Sequence, residues 1–135
     1  MGYIGWIAFN KIKISIVKTD ESKQLIKQLK KTNSKVEYFK GNLVEFKNWL
    51  VKQKCLICPD SMAGHMAAYV GIPVISLFGS QIPELTYPIS ENTIVITPDI
   101  PCNHKSDHWR LCSQCMASIR PKKVYRAIMN SIINQ

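Results

Sequence analysis

The sequence predicts an α/β fold: a parallel sheet covered by helices on both faces. Three observations carry this. Short apolar runs alternate with segments of helical periodicity along the chain. One run, Ile72–Phe78, is broken only by Ser76, as in a strand covered on both sides. No internal repeat, low-complexity tract or Gly/Ser linker interrupts the alternation.

The elements follow in order. Lys11–Lys18 alternates Ile12, Ile14 and Ile16 with polar neighbours, which predicts a strand near a sheet edge. Asp20 is placed to cap a helix from Glu21 to Lys31 with Leu25, Ile26 and Leu29 on one face. Val36–Phe39 is a short strand. Asn42 with Glu45 three residues later resembles a capping box, and the helix beyond it sets Leu43, Phe46 and Leu50 on one side. Lys54–Cys58 is the next strand, ended by Pro59. Ser61–Tyr69 is a short helix rich in Ala and Met, closed by Gly71. Ile72–Phe78 is a buried strand, Gly79–Pro88 a loop and Thr93–Thr97 a further strand. Residues 98–119 are irregular and Cys-rich. Pro121 opens a last helix with Val124, Ile128 and Ile132 at helical spacing.

A chain of 135 residues makes one domain and buries a core without help from metal or disulfide. Its 46% hydrophobic and 20% charged residues fit a globular protein. The net charge of +9 is uneven: residues 1–54 carry 12 Lys against 4 acids, residues 55–101 carry 4 acids and no Lys or Arg, and residues 102–135 carry 6 basic residues against 1 acid. Basic surface suits anionic partners such as nucleotides, phospholipid headgroups or nucleic acid, and equally describes a solvated Lys-rich helix face. The middle, free of Lys and Arg, is where a core or pocket is expected. Met1–Asn10 is apolar but lacks a basic n-region and a cleavage site. Met66–Pro83 is uncharged, yet Gly71, Pro73, Gly79 and Pro83 break it, so it predicts a helix end, a turn and a strand in place of a membrane span. The expected compartment is the cytoplasm, where five Cys serve as thiols or metal ligands more often than as disulfides.

Ligands of parallel sheets collect at the carboxyl ends of the strands. That places Thr19–Ser22, Lys40–Asn42 and Pro59–Gly64 on a rim, with Gly79–Gln81 joining them. The loop Pro59–His65 leads directly into a helix, whose N-terminus offers unpaired amides and partial positive charge to a phosphate. Ala63 and Gly64 let a ligand approach the backbone. Ser61 can donate to a phosphate oxygen or cap the helix. Asp60 can accept from sugar hydroxyls or act as the cap itself. His65, one turn in, can face a ligand as a donor.

The string Pro59-Asp60-Ser61-Met62-Ala63-Gly64-His65-Met66-Ala67-Ala68, with Gly71-Ile72-Pro73-Val74, Leu77-Phe78-Gly79 and Pro83, resembles the donor-binding domain of the family 9 glycosyltransferases, the ADP-heptose:lipopolysaccharide heptosyltransferases and relatives. Cys115-Met116-x-x-Ile119-x-Pro121 resembles the closing segment of that family, and the likeness runs from about Ile12 to Ile132. It implies a GT-B architecture of two Rossmann-like domains, with residues 1–135 forming a partial C-terminal domain that holds the nucleotide sugar. The N-terminal acceptor domain and the first strand–loop of this domain are expected to be missing. Transfer in the family is inverting, needs no metal, and draws its carboxylate base from the acceptor domain. By position, the resemblance assigns Asp60 to the donor sugar, and Ser61 with the amides of Met62, Ala63 and Gly64 to the diphosphate. It matches His65 to the family His, Glu21 to the ribose and Gly41 to the loop bordering the adenine. The family Gly is Met62 here, a side chain beside the diphosphate. No residue matches the general base, so the chain alone is expected to be inactive. The implied partners are an ADP-heptose-like donor, a glycan or lipid-linked acceptor met through the missing domain, and the anionic cytoplasmic face of the inner membrane.

Cys102, His104, Cys112 and Cys115 form a candidate zinc set, Cys112 and Cys115 having knuckle-like spacing, with His108 as a spare ligand. The alternative is a group of unligated thiols. Two other readings of the whole chain stay open: a basic zinc-binding nucleic-acid module, or a non-catalytic remnant. Against the former, the three Trp are not interleaved with basic residues in a stacking pattern.

Overall fold

The computed structural model describes residues 13–32, 36–79, 82–100 and 113–133. The chain divides into two compact units between Asn48 and Trp49.

In the first unit, β1 (Ile14–Val17) pairs in parallel with β2 (Val36–Phe39), Ile14 opposite Val36 and Val17 opposite Phe39. The connecting helix α1 (Lys23–Lys31) buries Ile26 and Leu29, while Leu25 is 36% exposed. It starts two residues later than the sequence predicts, and Asp20 is not its cap. The Thr19 N–H donates to Ser22 Oγ at 2.9 Å and Ser22 Oγ–H donates back to the Thr19 carbonyl at 3.1 Å, closing a turn ahead of the helix. Asp20 instead pairs with Lys23 at 2.7 Å. The capping box at the start of α2 (Leu43–Leu50) forms as expected: Asn42 N–H donates to Glu45 Oε2 at 2.7 Å, and Glu45 N–H to Asn42 Oδ1 at 3.0 Å. Phe46 is buried with its ring centroid 5.8 Å from that of Phe39, whereas Leu43 stays 53% exposed.

The second unit contains β3 (Leu56–Pro59), α3 (Met62–Val70), β4 (Val74–Leu77), α4 (Pro83–Thr86), β5 (Thr93–Ile96), α5 (Ser113–Ser118) and α6 (Pro121–Ile133). Its three strands are parallel in the order β3-β4-β5, with Cys58 opposite Ser76 and Ser76 opposite Val95. The central strand holds the core: Val74, Ile75 and Ser76 have no exposed surface, and neither do Leu50 and Phe78. Burial on this scale supplies the main stabilisation of the unit. α3 packs on β3 and β4, and α6 on β4 and β5. Gly71 ends α3 in the left-handed conformation at φ 86°, its N–H reaching the carbonyls of Ala67 and Ala68.

Three expectations shift here. The Gly79–Pro88 loop includes α4, which Pro83 opens with its fixed φ. The Cys-rich segment includes α5, and residues 101–112 lie outside the described residues. α6 buries Val124, Ala127 and Ile128, leaving Ile132 half-buried, because a 3.6-residue period turns the stripe toward Ala127. Asp99 joins the end of β5 to α6 through Arg120 and Lys123, and Lys123 Nζ also donates to the Thr97 carbonyl.

Strand pairing thus falls into a two-stranded and a three-stranded parallel sheet. Each has its loops at the carboxyl ends: 18–22 and 40–42 in the first unit, 60–61 and the segment from 78 in the second. Ser80 and Gln81 lie outside the described residues, as does Met1–Asn10. No helix among the described residues is long and apolar enough to cross a membrane.

Candidate ligand-binding site

The β3–α3 loop has no side-chain cap. Ser61 occupies the N-cap position with extended backbone, φ −164° and ψ 161°, but makes no capping hydrogen bond. Its Oγ is buried and has no partner. Asp60 does not cap the helix either: its Oδ2 accepts a hydrogen bond of 2.9 Å from Thr86 Oγ1 on α4. Capping, the local alternative open for both residues, is realised by neither. Of the first-turn amides of α3, that of Gly64 donates to the Ser61 carbonyl at 3.1 Å, which leaves those of Met62 and Ala63 for an external acceptor.

Gly64 lies buried on the second unit's sheet, where a Cβ would come 2.9 Å from Pro88 Cγ and 3.1 Å from Cys58 Sγ. Its smallness serves helix–sheet packing, in addition to any close approach of a ligand to the backbone. Met62 is 58% exposed, so its side chain projects into solvent. Ala63 is half-buried and His65 exposed. Beneath the loop, burial pushes the Cys58 thiol up to about 11, with the Ser61 hydroxyl, near the sulfur but outside hydrogen-bonding geometry, pulling it down and Asp60 pushing it up; burial alone pushes Cys55 up to about 11.

The first unit carries Glu21 and Gly41. A backbone hydrogen bond and the Thr19 hydroxyl hold the exposed Glu21 carboxyl below its ordinary range, keeping it an ionised acceptor. A Cβ on Gly41 would meet Glu45 Oε2 at 2.6 Å and Phe39 Cζ at 2.8 Å, so a larger residue there would push the Glu45 carboxylate of the capping box aside. The ends of β1 and β2 border a cavity of about 470 Å³ lined by Lys18, Thr19, Asp20, Lys23, Ile26 and Lys40. Three ammonium groups against one carboxylate favour an anion.

Of the candidate zinc ligands, Cys102, His104 and Cys112 lie outside the described residues, as does the spare His108; Cys115 is 4% exposed on α5. Among the described residues, no group of three or more His, Cys, Asp or Glu is placed to hold a metal ion. Thr86 and the lysine cavity were not anticipated. Thr86 lies 26 residues from Asp60 with no local pattern linking them. The lysines are spread over two strand ends, where sequence spacing shows only a basic segment.

Parallel strands joined through helices define an α/β protein, whose second unit has a helix opening without a side-chain cap beside Asp60 and whose first unit has a basic cavity. Residues 17–114 match glycosyltransferase family 9 (heptosyltransferase), which is most of the chain, and the protein belongs to that family. Its fold is similar to E. coli heptosyltransferase WaaC with ADP, at 21% identity and a TM-score of 0.72 over 96% of this chain and 37% of that one. It is similar to the E. coli ADP-heptose LPS heptosyltransferase II at 15% identity and 0.77, over 99% and 42% of the two chains. The family 9 glycosyl transferase from Veillonella parvula gives 15% and 0.74, over 96% and 39%. The chain therefore spans less than half the length of these structures. No curated protein sequence matches it.

Proposed function

We propose that this chain is the nucleotide-sugar-binding part of an inverting glycosyltransferase that moves heptose, or a related sugar, from an ADP-heptose-like donor to a lipopolysaccharide or other glycan acceptor. The observation that carries this reading is the uncapped start of α3 beside an Asp60 carboxylate held from elsewhere in the fold. A diphosphate accepts from the Met62 and Ala63 amides and gains from the helix dipole. Ser61 Oγ, buried without a partner, is available to donate to it. Asp60, an acceptor-only group when ionised, takes hydrogen bonds from sugar hydroxyls. Glu21 and Gly41 keep their assignments by resemblance, to the ribose and the adenine. His65 keeps its place as the family His, and Met62 that of a diphosphate neighbour. The structure of WaaC similar in fold to this chain is described with ADP, which supports an adenine nucleotide as ligand.

The acceptor-activating base belongs to the acceptor domain in this reading, so these 135 residues bind donor without transferring it. Metal is not required for transfer. Zinc at Cys102, His104, Cys112 and Cys115 would be structural, its thiolates closing a tetrahedral site. The proposed location is the cytoplasm, at the inner membrane face where a basic protein meets anionic lipid.

Calorimetry tests the reading. The chain should bind ADP-heptose, more weakly after Asp60→Ala, and should ignore a nucleic-acid pool. Binding of nucleic acid alone would favour the basic-module reading; binding of neither would leave a folded remnant.

A further inference from the structure

We propose that Thr86 is a positioning residue, whose hydroxyl orients the Asp60 carboxylate toward the hydroxyls of the donor sugar. The inference rests on the donor-binding reading above. A carboxylate on a loop rotates freely unless something holds one oxygen. Among the described residues Asp60 forms no ion pair, and residues 55–101 contain no Lys or Arg to provide one. The Thr86 Oγ1–H bond to Oδ2, at 2.9 Å, takes that place. It occupies one oxygen and leaves Oδ1 to accept from a ligand.

Thr86 is itself held. It ends α4, whose turn is closed by the Tyr87 N–H donating to the Pro83 carbonyl at 2.8 Å. Two residues on, Pro88 is fully buried against Gly64 of α3. The segment carrying the hydroxyl is thus pinned to the helix that follows Asp60, so donor and acceptor keep their spacing. A pre-set carboxylate spares the ligand the cost of ordering it, which is how a positioning residue acts on affinity. The bond lies at the surface, where a hydrogen bond adds little to folding stability. Orientation of Asp60, and not stability, is therefore its main effect.

The test compares ADP-heptose with ADP by calorimetry in the wild-type chain and in Thr86→Val, Thr86→Ser and Asp60→Ala. Thr86→Val keeps the shape and removes the hydroxyl. It should weaken ADP-heptose roughly fivefold to tenfold while ADP stays within about twofold and the Tm barely moves. Thr86→Ser should behave as wild type. If Asp60→Ala loses the sugar preference and Thr86→Val keeps it, the positioning role is wrong and the donor reading stands. If Thr86→Val weakens ADP as much as ADP-heptose, or Thr86→Ser fails to restore binding, the residue acts on the fold and the proposal is overturned. If the wild-type chain binds ADP-heptose no better than ADP, or binds neither, the sugar assignment of Asp60 falls and this inference falls with it.

Discussion

Gly64 approaches Pro88 so closely that a Cβ on residue 64 would lie 2.9 Å from the proline Cγ. Elsewhere in a helix, Gly→Ala stabilises by about 1 kcal/mol. Here the overlap involves a ring with little freedom, and Cys58 Sγ closes the other side at 3.1 Å. Gly64→Ala should therefore destabilise the chain by roughly 1–3 kcal/mol, as overpacking does. Urea unfolding gives the sign directly. A gain in stability would show that α3 can lift from the sheet at no cost.

The same glycine shows what was legible in the sequence. Strands, helices and their parallel order follow from periodicity, and the Asn42–Glu45 box and the Gly71 stop follow from local chemistry, all within a few residues of the signal. The sequence places Asp60 and Ser61 in a loop at a strand end but leaves their roles open, since Asp or Ser before a helix is usually a cap. In the structure neither caps α3, and Asp60 instead bonds to Thr86, 26 residues away, a contact that no local pattern encodes. Asp20 fails as a cap for a similar reason: Ser22 and Thr19 bond to each other, and Lys23 takes the carboxylate. The sequence places the start of α1 two residues early because several short polar side chains compete for the same few amides.

Burial sets the chemistry of two cysteines. With the Cys55 and Cys58 thiols pushed up to about 11 from an ordinary 9.0, their thiolate fraction at pH 8 is on the order of 100-fold below that of an ordinary thiol. Iodoacetamide at pH 8, read site by site by mass spectrometry, should label both far more slowly in the native protein than in denaturant. The linkage has a definite sign. Well below pH 9 the thiols are protonated in both states and stability does not depend on them. As pH rises from about 9 toward 11 only the unfolded chain loses these protons, so stability falls. Cys58→Ala should flatten part of that decline; an unchanged profile would mean that Cys58 does not contribute to it.

Asp99 supplies a prediction on the acid side. The hydrogen bond from Lys123, followed by the charge of Arg120, holds its carboxyl below the ordinary 3.8. A depressed carboxylate stabilises the fold at pH values above its unfolded value and loses that contribution as pH falls through its folded one. Asp99→Asn should lower the Tm modestly at pH 7, and the gap between variant and wild type should close below about pH 4. Both partners are surface groups, so the difference at pH 7 should also shrink in high salt. A gap of constant size at every pH would mean that Asp99 acts through shape and not charge.

Lys18, Lys23 and Lys40 converge on the cavity at the ends of β1 and β2, with Asp20 already paired to Lys23 at 2.7 Å. Lys18 sits 5.3 Å over the Tyr38 ring, which fixes its stem without neutralising its charge. Lys18 and Lys40 are therefore the cations whose field an incoming nucleotide would sense. If the first unit takes part in holding the donor, Lys18→Gln with Lys40→Gln should weaken ADP binding roughly tenfold at low salt, about threefold for each charge. The loss should diminish as ionic strength approaches the range where the Debye length is about 8 Å, because both charges are exposed. Titrating ADP at several salt concentrations separates this from a shape effect, which would persist in high salt. Equal affinities for the double variant and the wild type at low salt would remove the lysine cavity from the donor site and leave it as solvated basic surface.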